Sequence, residues 1–538
     1  MDNLPRLDVI WAKPWLLLSA ALLSLLVIKR LFFQGRSDGY VLPPGPKRLP
    51  LIGNLLDMQP QEGQPEFQHW LSHREQFGPM SSVGIMGQNV ILLHDREAAR
   101  FLLEKRSKST SSRPHMEFGH NMCGFKNLLS VQKYGTSYVR RRRLVHQYLG
   151  TQVASDRYHS LQEVKSEKLL QRVLESPEAL MDHLQGFSAS VILDAIYGYT
   201  LESTGSLDPL VELIQRMLDN ATKAFLPTAW FVDVVPAMRY IPGWFPGASF
   251  VRTAKKWKQT CEDAANTPLA FVKKQMQSGT HRPSYVSNIL ENIGSTENGG
   301  DDADGKPTKE PANEEDIKWT AATMYGAGVE TTSSSLDVFV LAMILFPDVQ
   351  RTAQQEIDRV VGTGRLPTFQ DRASLPYTDS LVTEILRWFP VLPMGLPHMA
   401  QEDIVYKQYL IPKGSYLLPA AWWFCHDPEF YADPEKFDPE RYIAPRSEPD
   451  PRGVIFGFGR RICPGRYFAD SNLFIVTARL LAAFKMSAGV DEQGRERVAK
   501  LGYTISLTTR PVKFPVSIAP RSDQHAALVR GISTTVSQ

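Results

Sequence analysis

The sequence predicts a mainly α-helical domain with small β-sheets, an α+β fold, behind an N-terminal membrane anchor. Most of the stretch 138–345 repeats its apolar residues with helical periodicity. Short runs rich in strand-forming residues lie nearer both ends of the chain. An uncharged apolar run covers residues 14–28. These patterns favour one large helical body over a series of small domains.

Composition excludes several classes of protein. The 538 residues carry 60 Lys and Arg against 57 Asp and Glu, a net charge of +3. This charge is too small for the broad basic surface that non-specific nucleic-acid binding needs, so we expect no nucleic-acid partner. The cysteines are too far apart for a disulfide scaffold or for the short Cys-x-x-Cys spacing of zinc sites; they are Cys123, Cys261, Cys425 and Cys463. We therefore expect a reduced, cytosol-facing body.

Residues 14–33 form the predicted anchor, after a short N-terminal segment, residues 1–13. A bilayer span needs about 20 mainly apolar residues, so Lys29 and Arg30 must extend their side chains to the interface. A cleaved signal peptide is the alternative, although no small-x-small cleavage site follows. Basic residues crowd the C-terminal side of the run, and the positive-inside rule then places the body in the cytosol.

Next along the chain, a proline-rich hinge over residues 34–46 is expected to lead into a folded body over 47–520. Residues 80–86 and 89–93 are β-rich runs on either side of a glycine-centred turn, which predicts a hairpin. A helix is predicted over 95–106, with the aspartate at its start as the N-cap.

Three segments interrupt or end the helical body. Residues 232–246 contain prolines that forbid a long helix, and this apolar, aromatic loop either packs internally or dips into the membrane beside the anchor. Residues 294–313 contain almost no apolar residue, so we expect a solvated connector. Residues 521–538 are predicted to be a polar, disordered tail.

The segment 456–465 reads FGFGRRICPG and precedes an amphipathic run. Because proline is tolerated at the first helical position, Pro464 predicts that Cys463 is the N-cap of a helix. There the helix dipole favours negative charge, and Arg460 and Arg461 add positive charge, so we expect a thiolate. An isolated cysteine is more often a small buried apolar residue. The glycines and aromatic residues here instead suit a loop that approaches a flat ligand.

This segment fills every position of the pattern Phe-x-x-Gly-x-Arg-x-Cys-x-Gly, with Phe456, Gly459, Arg461, Cys463 and Gly465. The pattern resembles the haem-ligand loop of cytochrome P-450 enzymes, and the resemblance extends over most of the chain. It implies that haem b, iron protoporphyrin IX, is bound with the Cys463 thiolate as axial ligand, and that Arg461 pairs with a haem propionate. In this family the thiolate favours O–O cleavage.

A second matching segment lies in a long helix predicted over about 316–346. Gly326 and Gly328 each cost about 1 kcal/mol in a helix interior, and we expect them to let a planar ligand and dioxygen lie against the backbone. Glu330 and Thr331 form an acid–alcohol pair suited to relaying protons. Taken alone, these residues also fit an ordinary buried helix with small residues at a crossing.

Glu384 and Arg387 place opposite charges three residues apart on a predicted helix, a pair that is more often solvated. With the Pro-Glu-Arg element at Arg441 they resemble two further elements of the family. The resemblance implies a buried structural network of these three residues that holds the haem loop. It also matches His398 to the position of a second propionate donor.

A departure from the family occurs in the predicted helix around Tyr138, which stands where the family usually has tryptophan. The role of this aromatic donor therefore stays open. Arg142 matches the arginine of the same motif and is expected to contact a propionate. The cluster 140–143 could alternatively be a solvated basic face, or a docking patch for an acidic redox partner.

The resemblance implies a membrane-anchored haem-thiolate monooxygenase that uses dioxygen, with its catalytic domain on the cytosolic side of the endoplasmic reticulum membrane. The segment after Cys463 is too short for a flavin domain, so electrons are expected from NADPH-cytochrome P-450 reductase, with cytochrome b5 as a second donor. One alternative is a haem-thiolate isomerase or dehydratase without external electrons, against which the pair Glu330 and Thr331 argues. Another is a non-enzymatic haem sensor.

Residues 65–70 and 78–95 resemble fungal secondary-metabolism members of the family, notably the O-methylsterigmatocystin oxidoreductase group. We therefore expect a hydrophobic natural-product intermediate as the substrate, entering from the membrane side near 232–250. The alternative is that the predicted lining residues merely pack the core. These residues are Phe118, Phe125, Met324, Tyr325, Val391, Leu392, Met394 and Leu396.

Overall fold

The computed structural model of the chain describes residues 40–532, except 51, 59, 61–62, 202–207, 227, 297–312 and 505–507. The predicted N-terminal segment, the anchor and the first part of the hinge lie outside the described residues. So do most of the predicted connector and the last six residues, 533–538.

The described chain is mainly helical, as predicted. Its α-helices are α1 (Glu66–Phe77), α2 (Arg96–Arg100), α3 (Ser107–Thr110), α4 (Thr136–Leu149), α5 (Gln152–Asp156), α6 (His159–Glu175), α7 (Leu180–Tyr197), α8 (Pro209–Ala224), α9 (Ser249–Gln277), α10 (Tyr285–Thr296), α11 (Glu314–Leu345), α12 (Pro347–Val360), α13 (Pro376–Trp388), α14 (Ala421–His426), α15 (Arg452–Ile455), α16 (Arg466–Ala483) and α17 (Asp523–Arg530).

The sheets are small, as predicted. The strands are β1 (Met80–Ile85), β2 (Gln88–Leu93), β3 (His398–Met399), β4 (Ile404–Tyr406), β5 (Tyr409–Ile411), β6 (Tyr416–Pro419), β7 (Phe484–Ser487) and β8 (Ser517–Pro520). The largest sheet has the order β1-β2-β6-β3, and β4-β5 and β7-β8 form pairs. Strand β2 runs antiparallel to β1 and parallel to β6. The N-terminal half of the chain and the segment before the cysteine loop therefore share one sheet.

The predicted hairpin and the helix after it are both confirmed. Met86 and Gly87, between β1 and β2, have φ angles of +46° and +88°, as the tight turns that match strand twist require. The Asp95 side chain then accepts a hydrogen bond from the Glu97 N–H at 2.8 Å, which is the predicted cap of α2. One turn of π-helix, Phe101–Lys105, continues this helix.

Helix α11 forms the centre of the helical core. Asn313 caps it by accepting a hydrogen bond from the Asp316 N–H at 2.9 Å, and acidic residues fill its first turn, where the helix dipole favours them. The helix packs along α7, α16 and α4. Of the described helices it is the one long and apolar enough to cross a membrane, but most of it is buried inside the domain. It is therefore the core helix.

The proline-rich loop 232–246 divides its apolar residues between the core and the surface. Val232 is buried, whereas Tyr240 is 73% exposed and Trp244 is 79% exposed. Short 3-10 turns, Phe231–Asp233 and Pro236–Tyr240, replace the long helix that the prolines forbid. The loop thus presents a set of aromatic side chains to the outside of the domain.

The prediction that the tail is disordered is wrong as far as residue 530, because Asp523–Arg530 form helix α17. Helix α17 packs against α6 and α16, with Ala526 and Val529 buried beneath it. Three residues apart on a helix, these two side chains share one face. That short apolar face closes over the core, which composition alone did not reveal. Arg521 fastens the preceding turn by donating to Asp358 of α12 at 2.8 Å.

The contribution of α17 can be tested with two neighbouring alanines. Ala526→Asp puts an unpaired carboxylate into the buried face, and we expect it to lower the free energy of unfolding by about 1–3 kcal/mol. Ala527 is exposed on the same helix, so Ala527→Asp is the control and should change stability by about 0.5 kcal/mol or less. Denaturant unfolding compares the two variants. Equal losses would show that the helix does not pack as described.

A buried ion network joins α13 to the chain that leads into the cysteine loop. Glu384 accepts hydrogen bonds from Arg387 Nε at 2.7 Å and from Arg441 Nε at 3.2 Å. Tyr442 and the Asp438 N–H also donate to it, at 3.0 and 2.9 Å. Both guanidiniums and the carboxylate are fully buried. The predicted three residues are therefore in one place, where each charge has a partner.

Most of the remaining arginine donors of this network bind backbone carbonyl oxygens, and Arg441 Nη1 also donates to Glu448 Oε2 at 2.9 Å. Arg387 donates to Cys425 and Lys436, and Arg441 donates to Asp433 and Lys436. Because one carbonyl, that of Lys436, accepts from both arginines, the segment between α14 and α15 cannot shift without breaking several bonds.

Removing the central carboxylate should be costly. Glu384→Ala leaves the buried guanidinium of Arg387 without a counter-charge and removes one of the two carboxylates of Arg441, which keeps Glu448 at 2.9 Å. We expect a loss of about 3–5 kcal/mol in the free energy of unfolding. The exposed Glu440 lies close by in sequence, and Glu440→Ala should change stability by about 0.5 kcal/mol or less. Chemical denaturation followed by circular dichroism measures both. A small effect of Glu384→Ala would contradict the network's role.

Candidate active site

Cys463 lies in a tight loop before α16. Its N–H donates to the Phe456 carbonyl oxygen at 2.7 Å, which closes the loop. Within the loop, Gly459 has a φ of +53°, and a Cβ there would come within 2.3 Å of the Leu103 carbonyl oxygen. Glycine alone tolerates this backbone and this approach. Gly459 therefore serves the packing of the loop against the protein, and its role beside a flat ligand stays a prediction.

Helix α16 begins later than predicted. Gly465 is its N-cap and Arg466 is its first residue, so the prediction that Cys463 is the N-cap and Pro464 the first helical residue is wrong. The reason is that the Cys463 N–H is used to close the loop onto Phe456, and the backbone becomes helical only afterwards.

The thiol of Cys463 is not ionised by its surroundings alone. Burial raises its pKa above the ordinary value, while a backbone hydrogen bond from Gly465 and the charges of Arg142 and Arg466 act in the opposite direction without outweighing burial. The predicted thiolate therefore requires more than the protein supplies. A coordinated metal ion removes a thiol proton outright. Cys463 as a residue is half-buried, whereas the other three cysteines are buried.

Arg461, predicted to lie beside the thiol, enters a buried site shared with Arg113. Among the described residues, no carboxylate pairs with either guanidinium. Both donate to backbone carbonyl oxygens instead. The acceptors of Arg461 are Ser111, Leu129 and Gln132, at 2.6, 3.2 and 2.6 Å. Those of Arg113 are Ser130, Leu396 and Pro397, at 3.0, 2.9 and 2.7 Å.

These two buried cations oppose each other. Burial, and then the charge of Arg461, lower the pKa of Arg113 to about 9. Burial also lowers the pKa of Arg461 to about 10. His398 lies close enough to feel both, and burial together with the two arginine charges holds its pKa well below the ordinary value. Its Nδ1 is 3.0 Å from the Thr110 carbonyl oxygen. Uncompensated positive charge of this kind suits an anionic ligand with carboxylates.

Arg113 is the member of this cluster that sequence reasoning missed. It is a single arginine in the loop before Pro114, and no spacing or periodicity relates it to Arg461. Only its burial and the absence of a carboxylate partner in the described part of the chain distinguish it from a surface arginine.

Tyr138 and Arg142 both support the cysteine loop. The Tyr138 hydroxyl donates to the Arg460 carbonyl oxygen at 2.9 Å, and its ring centroid lies 3.7 Å from the guanidinium carbon of Arg461, a cation–π distance. Arg142 donates to the Ile462 carbonyl oxygen, and its charge acts on both Arg461 and the thiol. The tyrosine at the usual tryptophan position therefore still orients the loop.

Most of the arginine cluster 140–143 is not a docking surface. Arg140 and Arg141 both pair with the buried Asp316 at the start of α11, so their charges are used inside the protein. Arg142 faces the cysteine loop, and Arg143 is exposed. Neither a wholly solvated basic face nor a four-arginine patch describes this segment.

The two glycines of α11 are explained by helix packing. A Cβ on Gly328 would come within 2.7 Å of Ile192 in α7, and one on Gly326 would come within 3.0 Å of Leu218 in α8. Packing accounts for both glycines, and the role of Gly328 beside the cofactor stays a prediction. Ala327, between them, is exposed although its helix is mostly buried.

Glu330 and Thr331 are half-buried on the same helix but are not bonded to each other. Thr331 Oγ1 donates to the Ala327 carbonyl oxygen at 2.8 Å. Glu330 Oε1 accepts a hydrogen bond from Thr508 Oγ1 at 2.5 Å. The predicted acid–alcohol pair is therefore adjacent in sequence, but each side chain makes its hydrogen bond to a different partner.

Leu129 connects the middle of α11 to the cysteine loop. Its N–H donates to Thr323 Oγ1 at 3.0 Å, and its carbonyl oxygen accepts from Arg461. The Cys463 thiol, the unpaired buried arginines and the small residue on α11 thus belong to one region. This donor set fits haem b, whose iron takes a thiolate ligand and whose two propionates take cations.

Only part of the predicted substrate lining faces this region. Phe118, Phe125 and Tyr325 are fully buried in the core, and Phe118 stacks on Trp230 with ring centroids 3.7 Å apart. Met324 is buried as well. For these four the alternative of core packing applies. The other four residues of the predicted lining are half-buried: Val391, Leu392, Met394 and Leu396.

Comparison with known proteins places the chain among relatives along almost its whole length. The cytochrome P-450 family model matches residues 43–516. A multifunctional cytochrome P-450 monooxygenase, af510, of Aspergillus fumigatus is 44% identical over 92% of this chain and 90% of its own. Cytochrome P-450 monooxygenase CLM2 of Gibberella zeae is 44% identical over 96% of both chains.

The resemblance to the O-methylsterigmatocystin oxidoreductase group is confirmed. The enzyme of that name from Aspergillus flavus is 37% identical over 96% of this chain and 94% of its own. The family match, these relatives and a cysteine loop with every position filled lead to one conclusion: the chain belongs to the cytochrome P-450 family and is a monooxygenase.

Proposed function

We propose that this chain is a membrane-anchored haem-thiolate monooxygenase that oxidises a hydrophobic natural-product intermediate in fungal secondary metabolism, by hydroxylation, epoxidation or oxidative rearrangement. The observation that carries the proposal is the thiol of the half-buried Cys463 close to two buried arginines, Arg113 and Arg461, that lack a carboxylate partner among the described residues. A ligand with a metal ion and two carboxylates satisfies both features.

In this proposal Cys463 would ligate the haem iron, and Arg113, Arg461 and His398 would hold the propionates. A bound haem supplies the activation of dioxygen and the transfer of one oxygen atom, chemistry that side chains lack. Arg142 favours the thiolate through its charge. The closed turn from Phe456, with the Gly465 N–H, keeps the sulfur in place. The network of Glu384, Arg387 and Arg441 holds the chain that leads into this loop.

Thr331 and Glu330 move the protons. The Thr331 hydroxyl lies beside the exposed Ala327, where it can hold a water or pass a proton inward. Glu330 is half-buried and accessible enough to exchange protons with solvent. Positioned acids of this kind raise the rate of a protonation step by about 10²–10⁴-fold.

The exposed aromatic side chains of the loop 231–245 support contact with the membrane beside the proposed N-terminal anchor. Phe231, Tyr240, Trp244 and Phe245 are all exposed, and aromatic residues favour the interfacial layer of a bilayer. The catalytic domain then lies on the cytosolic side of the endoplasmic reticulum membrane. Electrons come from NADPH-cytochrome P-450 reductase, with cytochrome b5 as a second donor, and an apolar substrate enters from the membrane side.

The cofactor assignment predicts a spectroscopic result. Purified protein treated with dithionite and carbon monoxide should show the red-shifted Soret band of thiolate ligation, and Cys463→Ala should lose it. Cys261→Ala is the control because that thiol is fully buried in the helical core and has its pKa raised to about 12 by burial. An unchanged band in Cys463→Ala, or loss of the band in both variants, contradicts the ligand assignment.

The substrate assignment predicts which compounds perturb the haem spectrum. The accessible lining is apolar at Val391, Leu392 and Ala327, and such a surface binds large apolar molecules by shape. We expect apolar polyketide, terpenoid or indole compounds to displace the sixth ligand in a spectral titration, and polar metabolites to have no effect. A response to the polar compounds alone would rule out this substrate class.

A further inference from the structure

We propose that Thr508 is a positioning residue for the proton relay: its hydroxyl holds the Glu330 carboxylate apart from Thr331, so that Glu330 must leave Thr508 to deliver a proton. The inference rests on the proposed function of the pair Glu330 and Thr331. It assigns to the C-terminal segment around residue 508 a part in catalysis that no motif in the sequence indicates.

The contact itself is short and spans a long stretch of chain. Thr508 Oγ1 donates to Glu330 Oε1 at 2.5 Å, across 178 residues of sequence. Hydroxyl bonds to a carboxylate at such distances are about twice as strong as neutral ones. Glu330 is therefore held by a defined partner on a different segment, and its position depends on where that segment lies.

Arg510 holds the same segment to α11. Its Nη2 donates to Ser333 Oγ at 2.8 Å and to the Glu330 carbonyl oxygen at 3.5 Å. Its Nη1 lies 3.7 Å from Asp337 Oδ2. These contacts lie along one side of α11, from Glu330 to Asp337. They fix Thr508, two residues earlier, opposite the acid.

Thr331 is held separately. Its hydroxyl donates to the Ala327 carbonyl oxygen one turn back along α11, so neither member of the pair donates to the other. For a proton to pass inward, the Glu330 carboxylate takes a proton from solvent, leaves Thr508 and gives that proton to a water that Thr331 holds, and this water passes one of its own protons on. The carboxylate that is regenerated returns to the Thr508 hydroxyl. The hydroxyl of Thr508 thus sets the populations of the two Glu330 positions, one bonded to Thr508 and one directed to Thr331.

The decisive variant is Thr508→Val, which keeps the shape of the side chain and removes the hydroxyl. The holoenzyme is reconstituted with an NADPH-cytochrome P-450 reductase and assayed without added substrate, so that reduced dioxygen ends as hydrogen peroxide or water. We expect the rate of water formation per haem to change by about two- to tenfold, the size expected for the loss of one hydrogen bond. The solvent deuterium isotope effect on this rate should change with it.

Two further variants separate positioning from structure. Thr508→Ser retains the hydroxyl and should restore the wild-type rate and isotope effect. Thr509→Val alters the buried neighbour on the same segment and should leave both unchanged. If Thr508→Val fails to retain haem, Thr508→Ala takes its place, because it only removes atoms. A crystal structure of the variant should show the Glu330 carboxylate displaced from its position beside residue 508.

The outcomes distinguish this inference from the proposed function. If Thr331→Ala diverts reducing equivalents to hydrogen peroxide and Thr508→Val behaves as wild type, the relay stands and the role of Thr508 is overturned. Failure of Thr508→Ser to restore the rate also overturns it, since size and not the hydroxyl would then matter. If Thr331→Ala leaves water formation unchanged, the relay in the proposed function is itself wrong.

Discussion

The rest of the structure depends on the buried ion network centred on one carboxylate, Glu384. Its oxygens accept from Arg387, Arg441 and Tyr442. Both arginines also donate to the Lys436 carbonyl oxygen between α14 and α15, and Arg441 has Glu448 as a second carboxylate partner. An ion group of this kind gives little net stability, but losing one member is severe. Its value is geometric, because it holds the chain just before the cysteine loop in a single arrangement.

In the cysteine region, by contrast, the buried arginines have no carboxylate partner among the described residues. Arg113 and Arg461 are also buried but donate to backbone carbonyl oxygens, and the pKa of each is lowered by burial. Burial likewise raises the pKa of the Cys463 thiol, which disfavours the thiolate. A ligand that brings a metal ion and carboxylates offsets the free-energy cost of burying these unpaired guanidiniums and this thiol. Haem b carries both kinds of group.

Helix α11 has closely packed positions and an exposed position side by side. Gly326 and Gly328 lie where α8 and α7 pack closely against it, while Ala327, between them, is exposed. Thr331 donates back to the Ala327 carbonyl oxygen, whereas the Glu330 carboxylate accepts from Thr508 on another segment. Their chemistry thus depends on contacts that span the chain.

The sequence by itself determined the elements and motifs whose causes lie within a few residues: the hairpin turn at Gly87, the cap at Asp95, the core helix and the cysteine motif with its family. Tertiary structure alone decided that Arg113 is buried near Arg461 and that Gly328 lies where α7 packs against α11. It also decided that part of the tail forms α17 and that Glu330 is bonded to Thr508. The reason is physical. Turn, cap and periodicity signals are local, whereas burial, charge compensation and close packing depend on segments that only the folded chain brings together.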